Sequence, residues 1–475
     1  MVSIIDTRRD HNQHPDKPLR SGLHSASTKQ GIVHLLPRSR HSSAPLVALT
    51  AIFALSACLP TSIASDPHPG AKAMFPKPST VAETRGMIEG LPDDDVWWTA
   101  NGEAMHWNNL NLSRFLPIAP VYRSGQVSTL RYAINPDIAQ AEVTARGITA
   151  SLLDFLNDPT VTTTGVVVLH KGNIVFEHYP RQAPYQKPIM WSVTKVLVSA
   201  VAAVLTDQGK LDPTRNIEYY IPEMAESAYA GITVRNLLDM ATGLNCAEDY
   251  DDQNSCYYQL AVTLGDGYYT DDHPDNPYDV LTRMNIERVA PQGDRYHYAS
   301  VHTFVLGWIV EKVTGMPFQD ALTKHIWSKI GAEHDAGILA PRFGVPITYG
   351  GLTAALRDTA RFGLLFTPSA TVVSDGRVLP EGYTDRILEG SNPKLASAIP
   401  GIRHNTEQWD VVFDNDDMFK GGWAGQGLLV NPRKDIVAVW AGHMNDTGRS
   451  VGMLPIMRDI LNRIYPDKDP DAAPE

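Results

Sequence analysis

The run "WSVTKVLVSAVAAVLTDQGK" (191–210) constrains this chain more than any other stretch. From Val196 to Leu205 it is apolar at every position but Ser199. Wound as a helix it has no polar side, and such a helix belongs in the interior. It is entered through Ser192 and carries one charged side chain, Lys195, before Asp207. Helix positions i and i+3 share a face, one turn apart. Ser192 stands at the helix start, where backbone N–H groups lack intrahelical partners. Burial disfavours the charged form of a lysine and lowers its pKa. A partly neutral amine beside a hydroxyl can take its proton, which makes a Ser–Lys nucleophile. The plainer reading is an N-cap serine with a snorkelling lysine. Four residues alone do not separate the two. A second match, Ser391-Asn392-Pro393-Lys394, contains a proline among polar residues and reads as a loop.

With 475 residues, 43% apolar and 20% charged, the chain has room for a large core and about two lobes. Its net charge of −12 argues against nucleic-acid binding, because a phosphate backbone requires a basic face. The acid clusters at 93–95, 248–252 and 271–275 read mainly as solvated surface. Where the last two border a cleft, they would favour a substrate amine.

Strand-like and helix-like stretches alternate through the chain. "GVVVLHKGNIVFEHY" (165–179) is two β-rich runs around Lys171-Gly172-Asn173, a hairpin signal. "QGLLVNPRKDIVAVWAGH" (426–443) is a second hairpin, turning at Asn431-Pro432. Both are apolar enough for central strands. Residues 232–244 read as a helix ended by Gly243, and 300–315 as another stopped at Gly315. The expected fold is α/β of the α+β type: an antiparallel sheet flanked by helices, a mostly helical lobe over about 205–350, and a cleft where they meet.

The N-terminus reads as an export signal. Basic residues precede "APLVALTAIFALSAC", an apolar run too short for the ~20 residues of a membrane span. Leu55-Ser56-Ala57-Cys58 resembles the lipobox of bacterial lipoproteins, which implies lipidation of Cys58 and a periplasmic or outer-membrane location. The segments expected are therefore 1–58 export signal, 59–85 linker, 86–160 N-terminal extension packed on the catalytic domain, 161–465 catalytic domain, and 466–475 disordered tail. In an oxidising compartment Cys246 and Cys256 can pair, stabilising by about 3 kcal/mol at most, or remain free thiols.

Three stretches in order give a family resemblance. "WSVTK", "APQGDRYHYAS" and "KGGWAGQGLLVNP" resemble the three motifs of the serine β-lactamase and penicillin-binding-protein superfamily, and look most like its esterase and 6-aminohexanoate-oligomer hydrolase branch. The likeness runs over about 160–445, and includes "YGGLTAALRDTARFGLLF" (349–366), similar to a helix of that family. It implies Ser192 as nucleophile and Lys195 as base, with Tyr298 sharing that role or protonating the leaving group. It implies Ser300, Lys420 and Gly422 as supporting residues, and the backbone N–H groups of Ser192 and Trp423 as the oxyanion hole. For Tyr298 to ionise it would need the cations of Lys195 and Lys420 beside it. Two departures, Gly421 at the hydroxyl position of the third motif and Ser300 in place of asparagine, shift weight from β-lactams toward esters and linear amides.

The reading is thus a serine hydrolase for a small-molecule ester, amide or short peptide, with no cofactor and no metal. The alternatives are a β-lactamase or D-Ala-D-Ala carboxypeptidase, and a non-catalytic envelope binding protein. Gly448-Arg449-Ser450-Val451-Gly452 has the form of an α/β-hydrolase elbow, but no histidine follows it to complete that triad. Sixteen histidines occur without a His-Glu-x-x-His spacing, which argues against a metallohydrolase.

Overall fold

Twelve short strands sort into three sheets in the computed structural model, which describes residues 97–250, 252–267 and 276–467, together with 80–82 and 85–86. The export segment with Cys58, most of the linker, the acid clusters at 93–95 and 271–275, and the tail from 468 lie outside the described residues.

The strands are β1 (Ile118–Val121), β2 (Glu142–Ala145), β3 (Ile148–Ser151), β4 (Thr163–His170), β5 (Asn173–His178), β6 (Ala336–Leu339), β7 (Leu352–Thr353), β8 (Ile402–Thr406), β9 (Trp409–Phe413), β10 (Met418–Gly421), β11 (Gly427–Asn431) and β12 (Ile436–Gly442). Seven of them form the main sheet in the order β5-β4-β12-β11-β10-β9-β8, antiparallel throughout. Side chains alternate between its faces. Val167, Leu169, Val437 and Val439 pack with the helical lobe. Val166, Val168, Ala438 and Trp440 pack on the other side with Leu152, Phe155, Met457 and Leu461. Both faces are covered, which is why these strands read as unbroken apolar runs rather than alternating ones.

The expected hairpins are present. Lys171 and Gly172 take φ of 49° and 71°, the paired left-handed geometry that matches strand twist in a two-residue turn. In the second hairpin Asn431 still pairs with Ile436, so the turn falls over 432–435.

Seven helices matter for the site: α1 (Gly102–Asn111), α2 (Thr194–Asp207), α3 (Val234–Leu238), α4 (Cys256–Thr263), α5 (Ser300–Thr314), α6 (Leu356–Leu364) and α7 (Met453–Ile464). Helix α2 is buried continuously from Thr194 to Leu205. Its valines are poor helix formers, and burial on every side overrides that propensity. Gly209 (φ 68°) ends it while the Lys210 N–H returns to the Leu205 carbonyl. Helix α5 stops at Gly315 in the left-handed conformation, as expected.

Two expected helices are shorter than their patterns. Over 232–244 only α3 is helical. The chain leaves the helix after Asp239, where Met240 takes φ 48°, and the Asp239 carboxylate accepts the Ser391 and Thr406 hydroxyls at 2.6 and 2.7 Å. Over 349–366 the first residues pair as β7, and only α6 is helical. Gly363 lets α6 lie on the sheet: a Cβ there would sit 2.6 Å from Val437 Cγ1.

The small sheet β1-β6-β7 supports the start of α2. The Met190 N–H donates to the Leu352 carbonyl at 2.7 Å, and the Leu352 N–H donates to Thr194 Oγ1 at 3.0 Å.

Candidate active site

Ser192 lies in a single 3₁₀ turn, Trp191–Val193, that runs into α2. The preceding Trp191 has φ 45°, a conformation that a bulky residue adopts at a cost of ~1–3 kcal/mol unless its surroundings impose it. Here two contacts impose it. The Trp97 ring stacks on Trp191 at 5.5 Å with planes 10° apart, and the Thr194 hydroxyl donates to the Trp191 carbonyl at 2.6 Å. The turn thereby presents a half-exposed Ser192 above a fully buried Lys195.

Lys195 Nζ is 2.9 Å from Ser192 Oγ and donates to the Tyr349 carbonyl at 2.7 Å. The Tyr298 hydroxyl donates to the same Ser192 Oγ at 2.8 Å, across 106 residues of sequence. Both lysines face the Tyr298 ring, with Lys195 Nζ 5.1 Å and Lys420 Nζ 4.6 Å from its centroid. The structure thus brings Ser192, Lys195, Tyr298 and Lys420 into one cluster.

Burial lowers the Lys195 pKa to about 7. Glu248 opposes that shift and Lys420 adds to it. Near neutral pH the uncharged amine is thereby available within reach of the serine proton. Tyr298 moves the other way. Burial, then the carboxylates of Glu248 and Asp410, push its phenol well above the ordinary tyrosine range. Tyr298 is therefore held as the neutral phenol, the form that can give a proton to a leaving group.

Lys420 is tied to Asp410, with Nζ 2.5 Å from Oδ1, and the Gly421 N–H donates to Asp410 Oδ2 at 2.9 Å. Asp410 was not among the residues expected at the site. Its signal was present in the β9–β10 register, which pairs Met418 with Val412 and Phe419 with Val411 and so sets Lys420 opposite Asp410. Gly422 follows at the end of β10. A Cβ at Gly422 would lie 2.8 Å from the Met190 carbonyl oxygen, so only glycine lets β10 approach the chain entering the Ser192 turn. Trp423 comes next, its ring 5.4 Å from that of Trp191.

A cavity of ≈ 30 Å³ opens onto Ser192, walled by Trp97, Trp98, Trp191, Tyr250, Tyr349 and Trp423. Its polar lining includes Glu248, Asp266 and Ser300. Ser300 acts through its backbone: its N–H, at the start of α5, donates to Glu248 Oε1 at 3.0 Å. A carboxylate at a helix N-terminus is favourably placed. The Tyr250 hydroxyl donates to Glu248 Oε2 at 2.5 Å. Asp266 Oδ2 accepts from the Tyr349 hydroxyl at 3.3 Å. Glu248 is therefore a half-buried wall of the site and not a solvated loop residue. Among the described residues no cluster of three His, Cys, Asp or Glu side chains is placed to hold a metal ion.

Cys246 and Cys256 form a disulfide with Cα atoms 5.1 Å apart. It closes the loop that carries Glu248 and Tyr250 to the cavity. Reduction is expected to lower stability by about 2–3 kcal/mol and to raise KM, because the loop then has more conformations to lose on binding. Thermal unfolding with and without reductant checks the first part. An unchanged Tm rejects it.

Residues 154–454 match the family described as Beta-lactamase. The 6-aminohexanoate-dimer hydrolase of Paenarthrobacter ureafaciens is 30% identical over 368 residues, covering 74% of this chain and 88% of the relative. Among solved structures, a candidate 6-aminohexanoate-dimer hydrolase from Bacillus anthracis superposes with a TM-score of 0.67 at 21% identity, over 78% of this chain and 96% of the other. EstCE1, a hydrolase with promiscuous acyltransferase activity, gives 0.52 at 16% identity, over 65% and 96%. These two likenesses carry the fold.

Proposed function

The chain belongs to the β-lactamase family, and from that premise we propose that it is a serine hydrolase that opens esters or linear amides through an acyl-enzyme on Ser192. One observation carries the reading: a half-exposed hydroxyl lies 2.9 Å from a buried lysine of lowered pKa and 2.8 Å from a protonated tyrosine. Neutral Lys195 takes the Ser192 proton as Oγ attacks the substrate carbonyl. The oxyanion that forms is held by the backbone N–H groups of Ser192 and Trp423. Tyr298 gives its proton to the departing alcohol or amine, and the Lys195 ammonium restores it. Water then attacks the acyl-enzyme, giving its proton to neutral Lys195, and the Lys195 ammonium returns that proton to Ser192 Oγ as the ester bond breaks.

The third motif favours esters and linear amides over β-lactams. Lys420 is buried and ion-paired with Asp410, and Gly421 has no hydroxyl to hold a substrate carboxylate. Glu248 and Asp266 place two carboxylates in the cavity, which supports a substrate bearing a protonated amine, in the manner of an amino-acid ester or aminohexanoate amide. The Leu55–Cys58 stretch supports export and lipidation.

The test is a panel of p-nitrophenyl esters, linear aminohexanoate dimer and nitrocefin. Esters with an amine on the acyl group are expected to react several-fold faster than succinylated or neutral ones, and nitrocefin slowest. Equal rates for amine-bearing and neutral esters would remove the amine preference. No turnover of any ester or amide would remove the hydrolase reading.

A further inference from the structure

We infer that Asp410 is an internal carboxylate standing where the site would otherwise hold a carboxylate of the substrate, and that it thereby turns the enzyme away from anionic substrates. The inference rests on the hydrolase reading above. It gives Asp410, acting through Lys420, a part in substrate choice.

Lys420 is fully buried and Asp410 nearly so. One carboxylate oxygen of Asp410 takes the Lys420 ammonium at 2.5 Å, and the other takes the Gly421 N–H at 2.9 Å. An ammonium and a backbone N–H converging on two oxygens are a donor set that fixes a carboxylate. The set sits beside the nucleophile. Lys420 Nζ lies 4.6 Å from the centroid of the Tyr298 ring, whose hydroxyl bonds Ser192 Oγ. Two residues beyond Gly421, Trp423 walls the cavity that opens onto Ser192.

A buried ammonium without a counter-charge is costly, and Asp410 supplies that charge from within the chain. With both donors engaged, a substrate anion gains no partner at Lys420 and is repelled by Asp410 and Glu248. After burial, these two carboxylates are what raise the Tyr298 pKa, so their field reaches the catalytic groups. A linear aminohexanoate dimer is compatible with this. Its carboxylate lies at the far end of a chain from the scissile amide, not close to it as in a penicillin.

The experiment competes benzylpenicillin and its methyl ester against fluorophosphonate labelling of Ser192 in the wild type and Asp410→Asn. In the wild type the acid is expected to compete no better than the neutral ester. Asp410→Asn keeps the shape and an oxygen for the Gly421 N–H but leaves the Lys420 charge unpaired, so the acid should gain about tenfold over the ester. Comparing acid with ester in one variant cancels any loss of folded enzyme or of serine reactivity. Formate probes the vacated place directly. It is expected to raise the Tm of Asp410→Ala saturably, and to leave the wild type and the double variant Asp410→Ala, Lys420→Met unmoved against chloride at equal ionic strength. An acid-to-ester ratio in Asp410→Asn within twofold of the wild type overturns the inference, whether or not Asp410→Ala folds. A folded Asp410→Ala whose Tm ignores formate overturns it as well. Both results leave the hydrolase reading standing, whereas a wild type that neither labels nor turns over any ester removes both.

Discussion

Ser192→Ala is expected to fold normally and to lose ester turnover by about 10⁴-fold or more, together with all labelling by a fluorophosphonate. The size of the loss follows from the chemistry. Without Oγ no acyl-enzyme forms, and the remaining backbone donors can only polarise a carbonyl for attack by water. Stability is expected to hold, because Ser192 is half-exposed and its hydroxyl bonds only functional groups. Lys195 keeps its bond to the Tyr349 carbonyl when Oγ is removed. Two controls sharpen the result. Ser391 heads the other Ser-x-x-Lys match, but Lys394 is exposed and Ser391 Oγ donates to Asp239. Ser450 lies in a loop with no histidine behind it in the chain. Ser391→Ala and Ser450→Ala should both label as the wild type does. Labelling that survives Ser192→Ala, or disappears in either control, places the nucleophile elsewhere.

What the chain discloses about this site depends on how local each relation is. Ser192 and Lys195 are one helical turn apart, so spacing alone puts them on one face, while the choice between a nucleophile pair and an N-cap with a snorkelling lysine needed the other two motifs. The main hairpins were equally plain, because Lys171-Gly172 supplies the left-handed turn between two apolar runs. Tyr298 was reached only through the family resemblance: nothing in the residues around it points across 106 positions to Ser192. Its protonation is not legible in the motifs either, because they contain Lys195 and Lys420 while the opposing Glu248 and Asp410 lie outside them. Asp410 enters by cross-strand pairing, Glu248 by capping α5, and Trp97 and Trp98 by packing against loops far away in sequence. The helix expected over 232–244 stops at Asp239 because Met240 takes a left-handed φ of 48°, and the Asp239 carboxylate then bonds hydroxyls more than 150 positions distant. Periodicity records which face is buried, but not which partner a polar side chain finds.

The second large effect belongs to Lys195. The wild-type kcat/KM is expected to rise with pH through about 7 and then stay level to at least pH 10. The sign follows from which form works. Only the neutral amine accepts the serine proton, and the neutral fraction grows as pH passes the lowered lysine pKa. No descending limb is expected below pH 10, because Tyr298 is held protonated well above the ordinary range. Lys195→Arg keeps a donor toward the Tyr349 carbonyl but cannot deprotonate, so activity should fall by about 10²–10⁴-fold and the limb near 7 should vanish. Lys195→Met leaves the Tyr349 carbonyl without its donor, and the Tm should fall as well. Glu248→Gln separates electrostatics from structure. The Glu248 carboxylate favours the ammonium form of Lys195, so its removal should move the ascending limb to lower pH. If the limb instead lies near the ordinary lysine value, or survives unchanged in Lys195→Arg, the base is some other group and the proton transfer assigned to residue 195 does not occur there.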